Sequence, residues 1–143
     1  MLVIRDVMSS CAAMIRPQDT LQDAVKVLCE LHLSGAPVVA ANGAVVGFIS
    51  EGSLMDVLFD ERSRRALVSG YMSTDVYVLH PNDTLADATS MFALYGVRRL
   101  PVVENGVLVG IVTRRDLLQH AVSGAVPFNE PLAELIPSIH EFA

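Results

Sequence analysis

The chain has 143 residues, of which 52% are hydrophobic, and a formal net charge of −6. That length fits one compact unit or two small lobes sharing an interface, and the acidic balance argues against a sequence-blind grip on nucleic acid. With no Trp and only 6% aromatic residues, the interior must be built from Val, Leu, Ile, Ala and Met, an ordinary α/β mixture.

In chain order, Met1 to Asp6 is too short in apolar run for a signal peptide. A short strand is expected from Ala13 to Arg16, and Pro17-Gln18-Asp19-Thr20 stops it, with Asp or Thr able to cap the next helix. That helix carries Leu21, Ala24, Val25, Leu28 and Cys29 at the three-and-four spacing of an amphipathic face, which makes Cys29 a small core residue. His32 comes after it as a packing or helix-end residue. Cys11 and Cys29 form no Cys-x-x-Cys motif and no metal spacing with His, so a reducing cytoplasm is the expected compartment. Leu31 to Ser50 lacks Asp, Glu, Lys and Arg, but Pro37 and Asn42-Gly43 break it into a hairpin rather than a spanning helix. No membrane span is expected. A second helix starts near Leu54, and residues 61–70 read as a helix end and linker.

The same run then recurs. Pro81-Asn82-Asp83-Thr84-Leu85-Ala86-Asp87-Ala88 repeats Pro17 to Ala24 at a spacing of 64, Met72-Ser73 repeats Met8-Ser9, and Pro101-Val102-Val103 repeats Pro37-Val38-Val39. After a one-residue step, Asn105-Gly106, Val109-Gly110 and Leu117 match Asn42-Gly43, Val46-Gly47 and Leu54. The second copy therefore predicts a strand from Val76 to His80, a helix with Leu85, Ala88, Met91, Phe92 and Tyr95 on one face, two strands, and a final helix. The expected fold class is α/β (α+β), two β-α-β-β-α repeats related by pseudo-twofold symmetry. The expected domains are 1–63, including the N-terminal segment and linker, and 64–126. Residues 127–143 form a tail in which Ala133-Glu134-Leu135-Ile136-Pro137 resembles Arg5-Asp6-Val7-Met8-Ser9, as though a third copy began.

Gly110-Ile111-Val112-Thr113-Arg114-Arg115-Asp116 is the segment that carries chemistry. It sets a hydroxyl and, three residues on, a carboxylate at the start of a helix, whose unpaired N–H groups and positive dipole end suit a phosphate. Asp116, when ionised, can accept both hydroxyls of a ribose. Spacing alone equally allows Thr113 and Asp116 to be an ordinary helix cap.

The tandem repeat and its Gly-apolar-apolar-Thr-x-x-Asp segment resemble CBS domains from about Val7 to about Val122. The resemblance implies a pseudo-symmetric pair with two clefts that take AMP, ADP or ATP, with S-adenosylmethionine and NADH as further options, and a homodimer that regulates a separate effector protein. It places ligand-binding residues in the second copy: Thr113 as the hydroxyl, Asp116 as the ribose acid, Val97-Arg98-Arg99-Leu100-Pro101 beside phosphate, and Asp75-Val76-Tyr77 along the base. Arg114 and Arg115 add positive potential. In the first copy Ser50 and Ser53 stand for Thr113 and Asp116, Ser34 and Gly35 for the Arg98-Arg99 pair, and Glu51 for Arg114. Losing the acid and both arginines predicts weak nucleotide binding there.

No catalytic or metal site is expected. His32, His80, His120 and His140 lie apart, and Asp19, Asp23, Asp83 and Asp87 sit at helix starts where they complement the dipole. No cofactor is required. The competing reading is a protein-association module with empty clefts; RNA binding by the four arginines is a weaker third.

Overall fold

The computed structural model describes residues 2–11, 13–57 and 59–122. In chain order it contains α1 (Ile4–Val7), α2 (Leu21–Glu30), β1 (Gly35–Val39), β2 (Val45–Ser50), α3 (Glu51–Met55), α4 (Glu61–Arg64), a 3-10 turn (Val68–Gly70), α5 (Leu85–Tyr95), β3 (Arg99–Glu104), β4 (Val107–Thr113) and α6 (Arg114–Val122). The helix–strand–strand–helix order occurs twice, with one two-stranded sheet per copy, in agreement with the α/β class and the duplication. The tail over 127–143 lies outside the described residues.

Each sheet closes at its Asn-Gly pair. Asn105 and Gly106 have φ of 53° and 78°, the paired left-handed conformation of a type I′ turn, which matches the twist of the strands it joins. In the first copy the turn is longer. Ala40 and Ala44 pair across it, and the Ala44 N–H donates to Asn42 Oδ1 at 3.0 Å. A register irregularity between Val38 and Val39 absorbs the residue that the second copy lacks.

Both long helices begin with a reciprocal cap. Thr20 Oγ1 accepts from the Asp23 N–H while Asp23 Oδ2 accepts from the Thr20 N–H, each at 3.1 Å; Thr84 and Asp87 repeat the pair at 3.0 and 2.9 Å. The bond from the Thr20 backbone, then that from its side chain, holds the Asp23 carboxyl below its ordinary range. One turn upstream, Asp19 and Asp83 instead accept from the Arg16 and His80 N–H groups at 2.9 and 2.8 Å, so these two carboxylates hold the approach to the helix. Thr84→Ala removes an N-cap acceptor; the expected loss is about 1 kcal/mol, read as a lower urea midpoint with an unchanged slope.

Three expectations need correction. The strands at 13–16 and 76–80 are reduced to single parallel bridges, Ile15 with Val38 and Leu79 with Val102. Each bridge is complete, since Leu79 donates to Pro101 O at 2.9 Å and accepts from the Val103 N–H at 2.8 Å, but the prolines at 17 and 81 end it at once. Cys29 is exposed: the buried stripe of α2 is Leu21, Ala24 and Leu28, and a residue one step past Leu28 turns about 100° away from it. Residues 61–70 hold more than a helix end and a linker, because α4 is a separate turn and Val68 beyond it is fully buried.

Val68 shows how the copies are completed. Two compact units emerge: one from residues 2–10, 77–104 and 109–122, the other from 11–76 with 105–108. Ile4 and Val7 therefore belong to the second copy's core with Leu79, Leu85, Phe92, Leu100, Val102 and Val112. Val68 joins the first copy's core with Ile15, Leu21, Val38, Ile49 and Leu54. The two leading segments dock alike. The Ile4 and Arg5 N–H groups donate to Asp83 O and Pro81 O at 2.9 and 2.8 Å; those of Val68 and Ser69 donate to Asp19 O and Pro17 O at 2.8 and 3.0 Å. Ser9 then pairs with Ile111, and Ser73 with Phe48, through two bonds of 2.9 Å in each case. Gly110 makes room for the first of these contacts: a Cβ there would lie 2.8 Å from Met8 Sδ and 3.0 Å from Ser9 O.

Candidate functional site

Strand β4 runs directly into α6, so Thr113 ends the strand and Arg114 starts the helix. Here the helix-cap reading is realised: Thr113 N–H donates to Asp116 Oδ2 at 2.8 Å and Asp116 N–H donates to Thr113 Oγ1 at 3.1 Å. The cap engages Oδ2; the same carboxylate carries a second oxygen whose lone pairs can meet a ligand hydroxyl. Thr113 and Asp116 are both partly buried. The cap therefore occupies one carboxylate oxygen of Asp116 and leaves the other out of it.

The segment before β3 comes to this helix start. Arg114 Nε donates to Val97 O at 3.0 Å, and the Arg114 N–H donates to Arg98 O at 3.4 Å. These bonds hold Val97-Arg98 beside the first turn of α6. Arg98 is exposed and Arg99 partly buried, and Arg99 Nε is buried without a hydrogen-bond partner among the described residues. A buried guanidinium nitrogen lacking a partner is an unmet hydrogen-bonding demand at this point of the structure. Arg115, one step further round the helix start than Arg114, is exposed. Leu100 and Pro101 lie inside: Leu100 is in the hydrophobic core and Pro101 O receives the Leu79 N–H. They fix strand β3, which Arg99 begins and Arg98 immediately precedes.

The Asp75-Val76-Tyr77 segment divides between units. Asp75 and Val76 fall with the first copy and Tyr77 with the second. Tyr77 stacks on Tyr95, ring centroids 3.8 Å apart and planes 11° from parallel, with both side chains substantially exposed. Sequence periodicity puts Tyr95 on the core face of its helix. It is the last residue of α5, and Gly96 turns left-handed immediately after it, which frees the ring to meet Tyr77. The sequence signal for this is slight: an aromatic residue just before a C-cap glycine.

The first copy's equivalent is built differently. Ser50 Oγ accepts from Ser53 N–H at 3.4 Å and shares a 3.0 Å hydrogen bond with Ser53 Oγ, so the cap survives without a carboxylate. Gly35 occupies the position of Arg99, and a Cβ on it would lie 2.7 Å from the Phe48 ring. The space an arginine stem needs is filled. A cleft of about 570 Å³ lies nearby, lined by Val25, Leu28, Cys29, Leu33, Glu51 and Leu54 among others. Its walls are largely apolar, and the Glu51 carboxylate repels anions.

Comparison with known proteins points one way. The CBS domain family matches residues 4–60 and again residues 68–123. CBS domain-containing protein YhcV of Bacillus subtilis is 31% identical over 84% of this chain and 86% of its own length. The A-adding tRNA nucleotidyltransferase of Aquifex aeolicus is also 31% identical, over 82% of this chain but 14% of its own length. The chain thus spans 14% and 41% of two curated relatives it matches. Among solved structures, CBSX2 in complex with AMP superposes with a TM-score of 0.78 at 26% identity, covering 88% of this chain and all of CBSX2. Among the described residues, no helix is long and apolar enough to cross a membrane.

Proposed function

We propose, since this chain belongs to the CBS domain family and carries the domain twice, that it is a regulatory, non-catalytic module sensing an adenine nucleotide in its second copy. The observation that carries this reading is the capped start of α6 held against Val97-Arg98 by Arg114, in a chain that superposes on an AMP complex. Asp116 takes the ribose hydroxyls through its carboxylate, and Thr113 and the helix start face the phosphate. Arg98 and Arg99 neutralise the phosphates, with Arg115 adding positive potential. Tyr77 and Tyr95 supply aromatic surface for the base, and Asp75 and Val76, just before Tyr77 in the chain, are the further sequence candidates. AMP, ADP and ATP share the chemistry required; S-adenosylmethionine offers the same adenosine without the phosphate, and NADH the adenosine with a diphosphate.

Ligand binding changes the output only if it favours one arrangement of the protein over another. That output goes to an effector protein, from a homodimer in the cytoplasm, the compartment that suits the thiols Cys11 and Cys29. The test is a thermal-shift and calorimetric screen with AMP, ADP, ATP, S-adenosylmethionine and NADH. At a hundredfold excess over its dissociation constant, a ligand stabilises the folded protein by about 2.7 kcal/mol. Absence of a shift with all five would rule the sensing role out. It would favour the association reading, which the exposed Met55, Phe59, Leu94 and Leu118 side chains support.

Tyr95 gives a sharper test. Base–aromatic stacking is worth about 1–3 kcal/mol per base, so Tyr95→Ala is expected to weaken AMP by roughly fivefold to a hundredfold while α5 stays folded. Equal affinities of parent and variant by calorimetry would remove the aromatic pair from the site.

A further inference from the structure

Each copy closes its sheet with the same two residues, yet the two turns hold them differently. At Asn42-Gly43 both polar groups are engaged: Asn42 Oδ1 accepts the Ala44 N–H at 3.0 Å, and the Gly43 N–H donates to Ala40 O at 2.9 Å. Gly43 is partly buried, and a Cβ on it would lie 2.9 Å from Val107 Cγ1. At Asn105-Gly106 both residues are exposed. Among the described residues, no hydrogen bond engages the Asn105 side chain or the Gly106 N–H, and a Cβ on Gly106 would meet no atom within 4 Å.

An asparagine followed by glycine carries an electrophile and a nucleophile side by side. Hydroxide takes the proton of the glycine N–H, and the nitrogen attacks the asparagine Cγ. A C–N bond forms, and the side-chain nitrogen leaves as ammonia after taking a proton from water, which restores the hydroxide. The product is a five-membered imide. Water opens it at either carbonyl, giving aspartate or isoaspartate; in the latter the main chain runs through the side-chain carbons. One water is consumed and one ammonia released, with no oxidant or reductant. The step needs a free N–H, an amide free to rotate, and no side chain on the next residue to block the approach. Asn105-Gly106 meets all three demands. Asn42-Gly43 meets the last one alone.

We propose that Asn105 is a site of spontaneous deamidation, with water as the co-reactant, and that Asn42 is shielded from the same reaction by its turn. Two hydrogen bonds at Asn42-Gly43 must open before the ring can close, which slows that position by roughly tenfold to a hundredfold at the usual worth of such bonds. The consequence at Asn105 is structural. Isoaspartate lengthens the main chain inside a two-residue type I′ turn, the element that sets the register of the strands it joins. It also adds a negative charge to a chain already at −6. Strand β4 begins right after this turn, and its Leu108 N–H donates to Gly43 O at 3.0 Å. The altered turn therefore loosens the bond between the two tips. The reaction needs no ligand and stands apart from the nucleotide reading.

The test incubates the folded full-length protein in mildly alkaline buffer made with heavy-oxygen water, then digests it with trypsin in ordinary water for mass spectrometry. The expected product is the peptide containing Asn105 with a labelled oxygen in place of the amide nitrogen. It should form faster than the product at Asn42 by roughly tenfold or more, and its rate should rise with pH. No labelled product at Asn105, equal rates at the two asparagines, or a rate indifferent to pH would overturn the proposal. Asn105→Gly removes the electrophile while keeping a residue that accepts left-handed φ. It is expected to abolish the product and leave the urea midpoint unchanged; labelling of the same peptide in this variant would overturn the assignment to Asn105. In the aged wild-type fraction, amide exchange at Leu108 is expected to quicken roughly fivefold, as for the loss of one hydrogen bond, with exchange at Leu79 unaltered. Unchanged exchange at Leu108 would overturn the consequence drawn for β4.

Discussion

Leu79→Ala is expected to be the most destabilising single truncation among those considered, by about 2–5 kcal/mol. Leu79 is fully buried, and it packs in the core that joins Ile4 and Val7 to Leu85, Phe92, Leu100 and Val102. Its backbone also makes the whole of the parallel bridge to β3. Alanine keeps those hydrogen bonds, so the loss isolates side-chain packing: the transfer free energy of the removed carbons plus the cavity they leave. Against a total stability of about 5–15 kcal/mol for a domain of this kind, a loss of that size is severe. Urea denaturation should show a lower midpoint with an unchanged slope. Ile15→Ala is the matched truncation in the other core, where Ile15 makes the corresponding bridge and is 1% exposed. A Leu79→Ala variant within about 0.5 kcal/mol of the parent, the range of ordinary surface changes, would show that this core collapses around the gap.

Asp116→Ala is expected to have the largest effect on ligand affinity. A hydrogen bond to a charged group contributes about 1.5–3 kcal/mol, so AMP binding should weaken by roughly tenfold to a hundredfold. A residue serving the ligand alone could be removed at no cost to the fold. The structure adds a cost, because Asp116 Oδ2 also accepts the Thr113 N–H; removing this half of the cap should lower stability by about 1 kcal/mol. The two roles separate in Asp116→Asn. An amide oxygen can still accept from Thr113, whereas the charge that grips ribose hydroxyls is gone. Calorimetry with AMP and a urea melt on both variants would resolve them. Unchanged AMP affinity in Asp116→Ala would refute the proposed site, whatever happened to stability.

How much of this is legible in the sequence depends on the range of the interaction involved. The duplication, the Asn-Gly turns and the Thr-x-x-Asp caps are local, set within a few residues, and each is readable from its own stretch of chain. The arrangement at Thr113 and Asp116 is readable too, although only as a choice between a cap and a ligand contact; the cap is present, and the second carboxylate oxygen keeps the other role open. Periodicity misplaces Cys29 because a three-and-four spacing tolerates two neighbouring positions and cannot say which one faces inward. It misplaces Tyr95 because the helix stops there. The strands at Ile15 and Leu79 are overestimated, since pairing depends on a partner far along the chain and on where the next proline falls. Docking of residues 3–9 on the second copy leaves no trace in periodicity at all. The echo of Met8-Ser9 in Met72-Ser73 is the one hint that these segments are interchangeable parts.

That interchangeability bears on how the molecule arose. A single ancestral copy with an arm like 3–9 would have an arm and a slot of its own, and two such polypeptides could trade arms to form a symmetric pair. Joining the two genes end to end would preserve the trade while making it permanent, leaving one arm at the front and one between the halves. Neither half could then be lost without stripping its neighbour of an anchor, which is a reason for the duplication to persist.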